Sequence, residues 1–365
     1  MLKPFFSLYI HIPFCRKKCS YCDFYSVPLL SLKDAYIKAL KMEFEIRALM
    51  ISKKIDLLKT LYIGGGTPSI VDEDDIESIF DIVSRYIDLK RLKEITFEAN
   101  PDSLTASKLR LLERCGVGRI SIGLQSTDEK ELSFLGRTHS FDDFLRVYSL
   151  LGNFNVNVDL IYGLPAQSFE GFKRSLKKVV DLRPNHISLY PLEIHKNTSF
   201  YGNVEVDENS QRDIYEKSVD FLEKCGYIHY EISNFCLKGY QSLHNLNYWN
   251  RGDYLGFGPG ASSCIGYERW RNITDLPSYI KALNNGKIEL DYYEKLDEND
   301  VMNEKLMLYL RKREGIDVGC DVFNFFRKEI EQKISEGYIE EIGGAVRIKK
   351  QYIFVSNSIV SSMMR

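Results

Sequence analysis

The sequence has no excess of charge, no long apolar run and few cysteines, and each shortage removes a class of function. Lys and Arg number 49 against 51 Asp and Glu, a formal net charge of −2. No global positive field therefore exists to hold nucleic acid or to bind a membrane through a polybasic face. The longest stretches free of Asp, Glu, Lys and Arg are Tyr254–Tyr267 and Gln351–Met364, 14 residues each. Both fall short of the ~18 apolar residues of a spanning helix and are broken by glycine or polar residues. No membrane span is expected, which leaves room only for peripheral association. The opening run MLKPFFSLYIHIPFC lacks a small-residue cleavage site, which argues against a secretory signal. Eight cysteines in 365 residues are too few for a disulfide scaffold. Three of them, Cys15, Cys19 and Cys22, crowd into eight residues, as metal-ligating thiols do in a reducing compartment, so a cytoplasmic location is expected.

What is present is an ordinary globular composition, 44% hydrophobic and 27% charged. At about 150 residues per domain the length suggests two domains, or one large domain with an appendage. Six times in the first 226 residues a short apolar or alternating run precedes an amphipathic segment. The runs are Ser7–Ile12, Leu57–Ile63, Glu94–Glu98, Arg119–Gly123, Val156–Ile161 and His186–Tyr190. The first and last helices are Lys33–Leu49 and Ser210–Cys225, the latter closed by Gly226. Such alternation predicts right-handed parallel crossovers, hence an α/β fold with helices outside a parallel sheet. Periodicity alone does not separate an open doubly wound sheet from an incomplete (β/α)6 TIM-type barrel. The cysteine cluster, Gly64-Gly65-Gly66, Glu98, Gln125, Asp159 and Tyr190 all fall at or just after strand C-terminal ends, and functional groups on one rim favour the barrel. We therefore expect a core over residues 1–226 and an irregular aromatic- and glycine-rich segment, 227–300, packing on it. A small C-terminal module, 301–365, reads as helix (Asn303–Lys312), helix (Asp321–Ser335) and hairpin around Gly343-Gly344, a winged-helix-like pattern whose mixed charges favour a structural cap over DNA binding.

Cys15-Arg-Lys-Lys-Cys19-Ser-Tyr-Cys22 has C-x3-C-x2-C spacing. Three thiolates on one loop can hold three irons of a four-iron cluster and leave the fourth open. Zinc wants four ligands, and no second C-x2-C pair occurs. With Tyr21 before the last cysteine, this loop resembles that of the radical S-adenosylmethionine (SAM) superfamily. Tyr9-Ile-His-Ile-Pro-Phe-Cys15, Gly64-Gly-Gly-Thr-Pro68, Glu98-Ala-Asn-Pro101, Ser121-Ile-Gly-Leu-Gln125, Gly136-Arg137, Asp159-Leu-Ile-Tyr-Gly-Leu-Pro165 and Tyr230-Glu-Ile-Ser-Asn-Phe235 resemble the oxygen-independent coproporphyrinogen III oxidase group within it. The resemblance covers nearly the whole chain. It implies a radical SAM barrel with a [4Fe-4S] cluster whose open iron chelates SAM, an electron donor for that cluster, and SAM cleavage to methionine and a 5'-deoxyadenosyl radical.

The chain departs from the oxidases in two places. They carry a further cysteine two residues after the third, where Phe24 stands here, and a longer N-terminal segment. Both departures are similar to the HemW-type haem chaperone branch, with its C-x3-C-x2-C-D-F motif and an H-N-x-x-Y-W string, here His244-Asn245-Leu246-Asn247-Tyr248-Trp249. The resemblance thus implies a chaperone that binds haem and delivers it to haem-accepting proteins. An oxidase converting coproporphyrinogen III to protoporphyrinogen IX is the alternative, against which Phe24 argues, and a radical SAM enzyme with another substrate is a third. The resemblance implies SAM contacts from Gly65, Gly66, Thr67 and Glu98. It implies a second polar set, Gln125, Arg137 and Asp159, which in the oxidases holds a second SAM, so one or two molecules are expected. Tyr9 and Tyr21 are expected to flank cluster and ligand. His244 is the candidate haem contact, since imidazole is a common haem-iron ligand, with Asn245 holding the loop and Tyr248 and Trp249 covering a porphyrin face.

Overall fold

The computed structural model describes residues 3–365. Six parallel strands lie in chain order: β1 (Phe6–Ile12), β2 (Leu58–Gly65), β3 (Glu94–Ala99), β4 (Arg119–Gln125), β5 (Asn155–Tyr162) and β6 (His186–Pro191). The crossovers carry α1 (Lys33–Lys54), α2 (Glu73–Ser84), α3 (Ala106–Arg114), α4 (Glu129–Leu135), α5 (Phe141–Tyr148) and α6 (Phe169–Asp181), and α7 (Glu208–Lys224) follows β6. Helix starts are written locally. Thr105 and Ser168 accept from backbone amides, and Asp72/Asp75 and Ser140/Asp143 form reciprocal capping boxes. Even-numbered residues of β1 (Phe6, Leu8, Ile10) are fully buried in the apolar core with Phe44 of α1, while Ser7, Tyr9 and His11 point to the opposite face with Tyr62 and Glu98. That second face is the polar lumen of a curved sheet. The strand–helix alternation predicted the α/β fold, and the functional groups on one rim, with the family resemblance, the incomplete six-strand barrel.

Segment 227–300 differs from its expectation. It is regular, comprising β7 (Ile228–Glu231), β8 (Asn234–Cys236), α8 (Leu243–Trp249), β9 (Asp253–Phe257), β10 (Ser262–Ile265), β11 (Glu268–Asn272), α9 (Leu276–Asn284) and β12 (Leu290–Lys295). Strand β9 pairs in parallel with β1, and β10, β11 and β12 continue antiparallel beyond it. Antiparallel β8 and β7 extend the opposite edge, giving a sheet of twelve strands. Gly258 permits the β9 approach: a Cβ there would sit 2.5 Å from the His11 carbonyl, and its φ is +95°. A buried carboxylate fastens this half to α1. Glu43 pairs with Arg47 at 3.0 Å and accepts from Gly258 N, Asn272 Nδ2 and Tyr279 OH at 2.9, 2.8 and 2.7 Å.

Helix α8 plugs the floor of the lumen. The Glu94 carboxylate, at the start of β3, accepts from the Leu243 and His244 amides at 2.9 and 3.0 Å, and Asn247 Nδ2 donates to Ser7 Oγ at 2.9 Å. The C-terminal module has its own core around Leu306, Leu310, Phe326 and Ile330. It contains α10 (Glu298–Arg311), β13 (Ile316–Asp317), α11 (Asp321–Phe325), α12 (Arg327–Ser335), β14 (Ile339–Ile342), β15 (Ala345–Ile348) and α13 (Ser356–Ser361), with the three strands in one antiparallel sheet. The single helix expected over 321–335 breaks at Phe326, whose side chain is fully buried in that core. Among the described residues no helix is long and apolar enough to cross a membrane.

Candidate functional site

The cysteine loop leaves β1 and is pinned at both ends. Cys15 N donates to Val27 O (3.1 Å), Val27 N to Pro13 O (2.7 Å), and Cys22 N to Cys19 O (3.3 Å). It lies against the Gly64–Thr67 turn, where Gly66 N and Thr67 N donate to Ile12 O and Phe14 O, each at 2.8 Å. A Cβ on Gly66 would come 2.6 Å from Phe14 O and 3.1 Å from Cys15 Sγ, so only glycine lets the turn meet the thiol this closely. All three thiols are half-buried. Cys15 Sγ is 3.4 Å from Thr67 Oγ1, and Arg137 Nη1 donates to Cys19 Sγ at 3.6 Å. Burial pushes the Cys15 thiol up, and the Cys22 thiol up to about 11, with the neighbouring cysteines adding to both. Ionising Cys15 and Cys22 needs a compensating cation, which a cluster's irons would supply. Among the described residues no three His, Cys, Asp or Glu side chains converge on a point where one ion could sit. A four-iron cube takes one thiolate per iron, so its ligands stand further apart.

Next to the loop, Glu98 accepts from Tyr62 OH at 2.5 Å and Gly65 N at 3.0 Å. Burial raises this carboxyl to about 7 against those two hydrogen bonds. Arg137 donates to Asn100 Oδ1 (2.7 Å) and Gly123 O (2.6 Å), which aims its other nitrogen at Cys19. Tyr21 lies beside Arg137, and burial holds its phenol protonated. Asp159 stands apart on β5, accepting from Ser121 Oγ (3.1 Å) and Asn157 Nδ2 (2.8 Å), and burial raises its carboxyl. Gln125 ends β4 with φ +70°. Tyr9 OH bonds His11 Nδ1 at 3.0 Å. Thus Cys15 meets Thr67, Cys19 meets Arg137 and Glu98 meets Gly65, whereas Asp159 and Gln125 make no direct bond to that group. Asn100 and His11 stand within motifs the sequence reading quotes but carry no positioning role there, and Tyr62 escaped it. Tyr62 had one available signal, its alternation with Thr60 and Gly64 on β2.

The H-N-x-x-Y-W string is divided between two places. His244 is buried in the floor, its Nδ1 2.8 Å from Thr60 Oγ1 and its Nε2 2.8 Å from Tyr248 OH. Direct ligation of haem iron by His244 would require breaking one of these bonds. Asn245 N is capped by Ser242 Oγ at 3.3 Å. Tyr248 and Trp249 line a cavity of about 750 Å³, and the Arg311 guanidinium covers the Trp249 ring at 4.3 Å. The cavity runs along the open side of the barrel between the cysteine loop, β1, β9 to β11 and α10. Tyr9, Phe24, Tyr25 and Tyr254 add to its aromatic lining, and Arg251, Arg269 and Arg271 form a charged wall. Phe24 is 64% exposed and adds its ring to the cavity's lining.

Residues 9–179 match the Radical SAM superfamily and residues 296–354 the HemN C-terminal domain. The chain is 37% identical to the Heme chaperone HemW of Lactococcus lactis, spanning 85% of this chain and 82% of that protein. It is 32% identical to the Heme chaperone HemW of Bacillus subtilis over 98% and 99% of the two. Coproporphyrinogen III oxidase (HemN) from Escherichia coli, a solved radical SAM enzyme, superposes with a TM-score of 0.85 at 21% identity. That alignment covers 99% of this chain and 90% of the other, and it establishes a common fold.

Proposed function

Because the chain belongs to the heme chaperone HemW family within the radical SAM superfamily, we propose that it binds haem and hands it to haem-requiring proteins, carrying a [4Fe-4S] cluster and SAM. The observation that carries this reading is the aromatic cavity opening against the cysteine loop, with Phe24 exposed at its mouth where an oxidase has cysteine. Cys15, Cys19 and Cys22 hold the cluster, and Thr67 and Arg137 donate to two of the thiolates. Such a cluster, supplied with an electron by a donor protein, provides the reducing equivalent for SAM chemistry. Tyr9, Tyr21, Gly65, Gly66, Thr67 and Glu98 form the SAM seat, where Glu98, ionised above about pH 7, attracts the ammonium group. Gln125, Arg137 and Asp159 complete the polar rim and would hold a second SAM if one binds. His244 serves haem as a positioning residue, holding Tyr248 at the cavity wall. Residues 1–226 act as the cofactor core, 227–300 as the haem-side wall and 301–365 as a cap.

One anaerobic experiment tests the reading against the oxidase alternative. The reconstituted protein is given SAM with either haem or coproporphyrinogen III. Stoichiometric haem uptake without protoporphyrinogen IX formation is expected. Protoporphyrinogen IX without stable haem uptake would overturn the chaperone reading, and deoxyadenosine formation with neither would point to another substrate.

A further inference from the structure

We infer that the arginine wall of the large cavity recognises the two propionate carboxylates of haem, so that the site selects tetrapyrroles by their acidic edge; this rests on the haem reading above. Arg269 and Arg271 lie two residues apart on β11, one on each side of the buried Trp270, and both line the cavity. Side chains two apart leave the same face of a strand about 7 Å from one another. The two propionates of haem likewise leave one edge of the ring side by side.

The wall carries more donors than its own acceptors satisfy. One carboxylate, Glu304 of α10, is shared by Arg251 and Arg269. Arg251 uses each of its three nitrogens, donating twice to Gly266 O at 3.1 Å besides its bond to Glu304. Arg271 stands 4.0 Å from Asp291, beyond hydrogen-bond reach, and is half exposed. Among the described residues, three that line this cavity hold buried side-chain polar atoms without a partner: Arg269 Nε, Thr274 Oγ1 and Trp249 Nε1. Each can donate. These three atoms are sealed from the cavity, so the donors a ligand meets there are the half-exposed Arg271 guanidinium and the partly exposed end of Arg269. The Tyr9, Phe24, Tyr248 and Tyr254 rings supply the apolar surface for the macrocycle.

The test compares iron protoporphyrin IX with its dimethyl ester, which keeps ring and iron but has no carboxylate. Both are titrated into the full-length protein and followed by Soret difference spectra. The wild type is expected to hold the free acid at least about tenfold more tightly than the ester, the scale of a charge-assisted hydrogen bond. Arg271→Gln and Arg269→Gln should each weaken the free acid by about that factor and leave the ester unchanged. Arg269 also anchors Glu304 of the C-terminal module, so Arg271→Gln, which leaves that pair intact, keeps the inference testable if Arg269→Gln does not fold. Equal wild-type affinity for acid and ester, or equal weakening of both ligands in the folded variants, overturns the propionate assignment alone. Failure of the wild type to bind either compound overturns the haem reading beneath it.

Discussion

Mild acid should unfold this protein abruptly, because five of its six histidines are buried among neutral partners. His11, His139, His186, His229 and His244 are at most 6% exposed. Their rings bond carbonyls, an amide and hydroxyls: Tyr25 O for His11, Leu124 O for His139, Asn157 and Tyr230 for His186, Tyr215 and Ile232 O for His229, Thr60 and Tyr248 for His244. Loss of hydration lowers His11 and His139 to about 4, His229 and His244 to about 3, and His186 well below its ordinary value. The Arg119 charge adds to the shift of His186 and His244. Folded values below the unfolded 6.5 mean that these rings stabilise fully above pH 6.5 and lose that contribution as pH falls toward 4 and then 3. Each ring forfeits about 1.4 kcal/mol per pH unit, so at pH 5.5 the five together cost about 7 kcal/mol. Glu98 opposes them. Its folded value near 7 favours the protonated native state as pH drops, returning about 2 kcal/mol at pH 5.5. The net loss, at most about 5 kcal/mol, is on the scale of the whole stability of an ordinary domain. Urea unfolding of the cluster-free protein from pH 8 to 5 reads this directly, since the slope of free energy against pH counts the protons taken up. His244→Gln should reduce that uptake by one. A change below about 1 kcal/mol between pH 7 and 5.5 would refute the reasoning.

Alanine at Cys15, Cys19 or Cys22 should abolish the brown absorbance of the anaerobically reconstituted protein, whereas alanine at Cys115, Cys225, Cys236, Cys264 or Cys320 should retain it. Iron and sulfide bound stoichiometrically by the triple variant would refute the assignment. Arg137→Ala should weaken SAM binding about 30-fold or more, or reduce its stoichiometry in calorimetry, and unchanged values in both this variant and Glu98→Ala would count against the SAM seat. Arg47→Met leaves the fully buried Glu43 without its cation and should cost about 3–5 kcal/mol in a urea melt, most of it recovered by adding Glu43→Gln. His244→Ala should weaken haem binding and release Tyr248 while keeping the axial-ligand spectrum; a changed spectrum would instead make His244 a ligand.

The grouping of the cysteine loop with the glycine turn and the strand ends was legible in the sequence because its determinants are local. The spacing of Cys15, Cys19 and Cys22 needs one loop, Gly64–Gly66 one turn, and the six strand–helix units each carry their own periodicity. The other side was hidden because its determinants are distant. Strands β9 to β12 are four to six residues long in aromatic- and glycine-rich sequence, and what makes β9 a strand is β1, at the other end of the chain. Tyr62 and Asn100 read as ordinary until Glu98 and Arg137 are folded onto them. Likewise His244 reads as an available ligand until Thr60 and Tyr248 engage both its nitrogens. The arginine wall had a faint local signal, the alternation Arg269-Trp270-Arg271 on a strand with one buried face, which is compatible with many exposed strands.

The ladder between β1 and β9 also sets a timetable for assembly. Phe6 pairs opposite Asp253 and Ile10 opposite Phe257, so the first strand leaves the ribosome roughly 250 residues before its neighbour exists, about 12–50 s at ordinary rates of synthesis. Through that interval the strand that launches the cysteine loop has one unpaired edge, and Gly258 is not yet packed against His11. The strand that launches the cysteine loop is therefore finished only after translation has passed residue 258, and chains truncated before it should emerge with an exposed β1 edge.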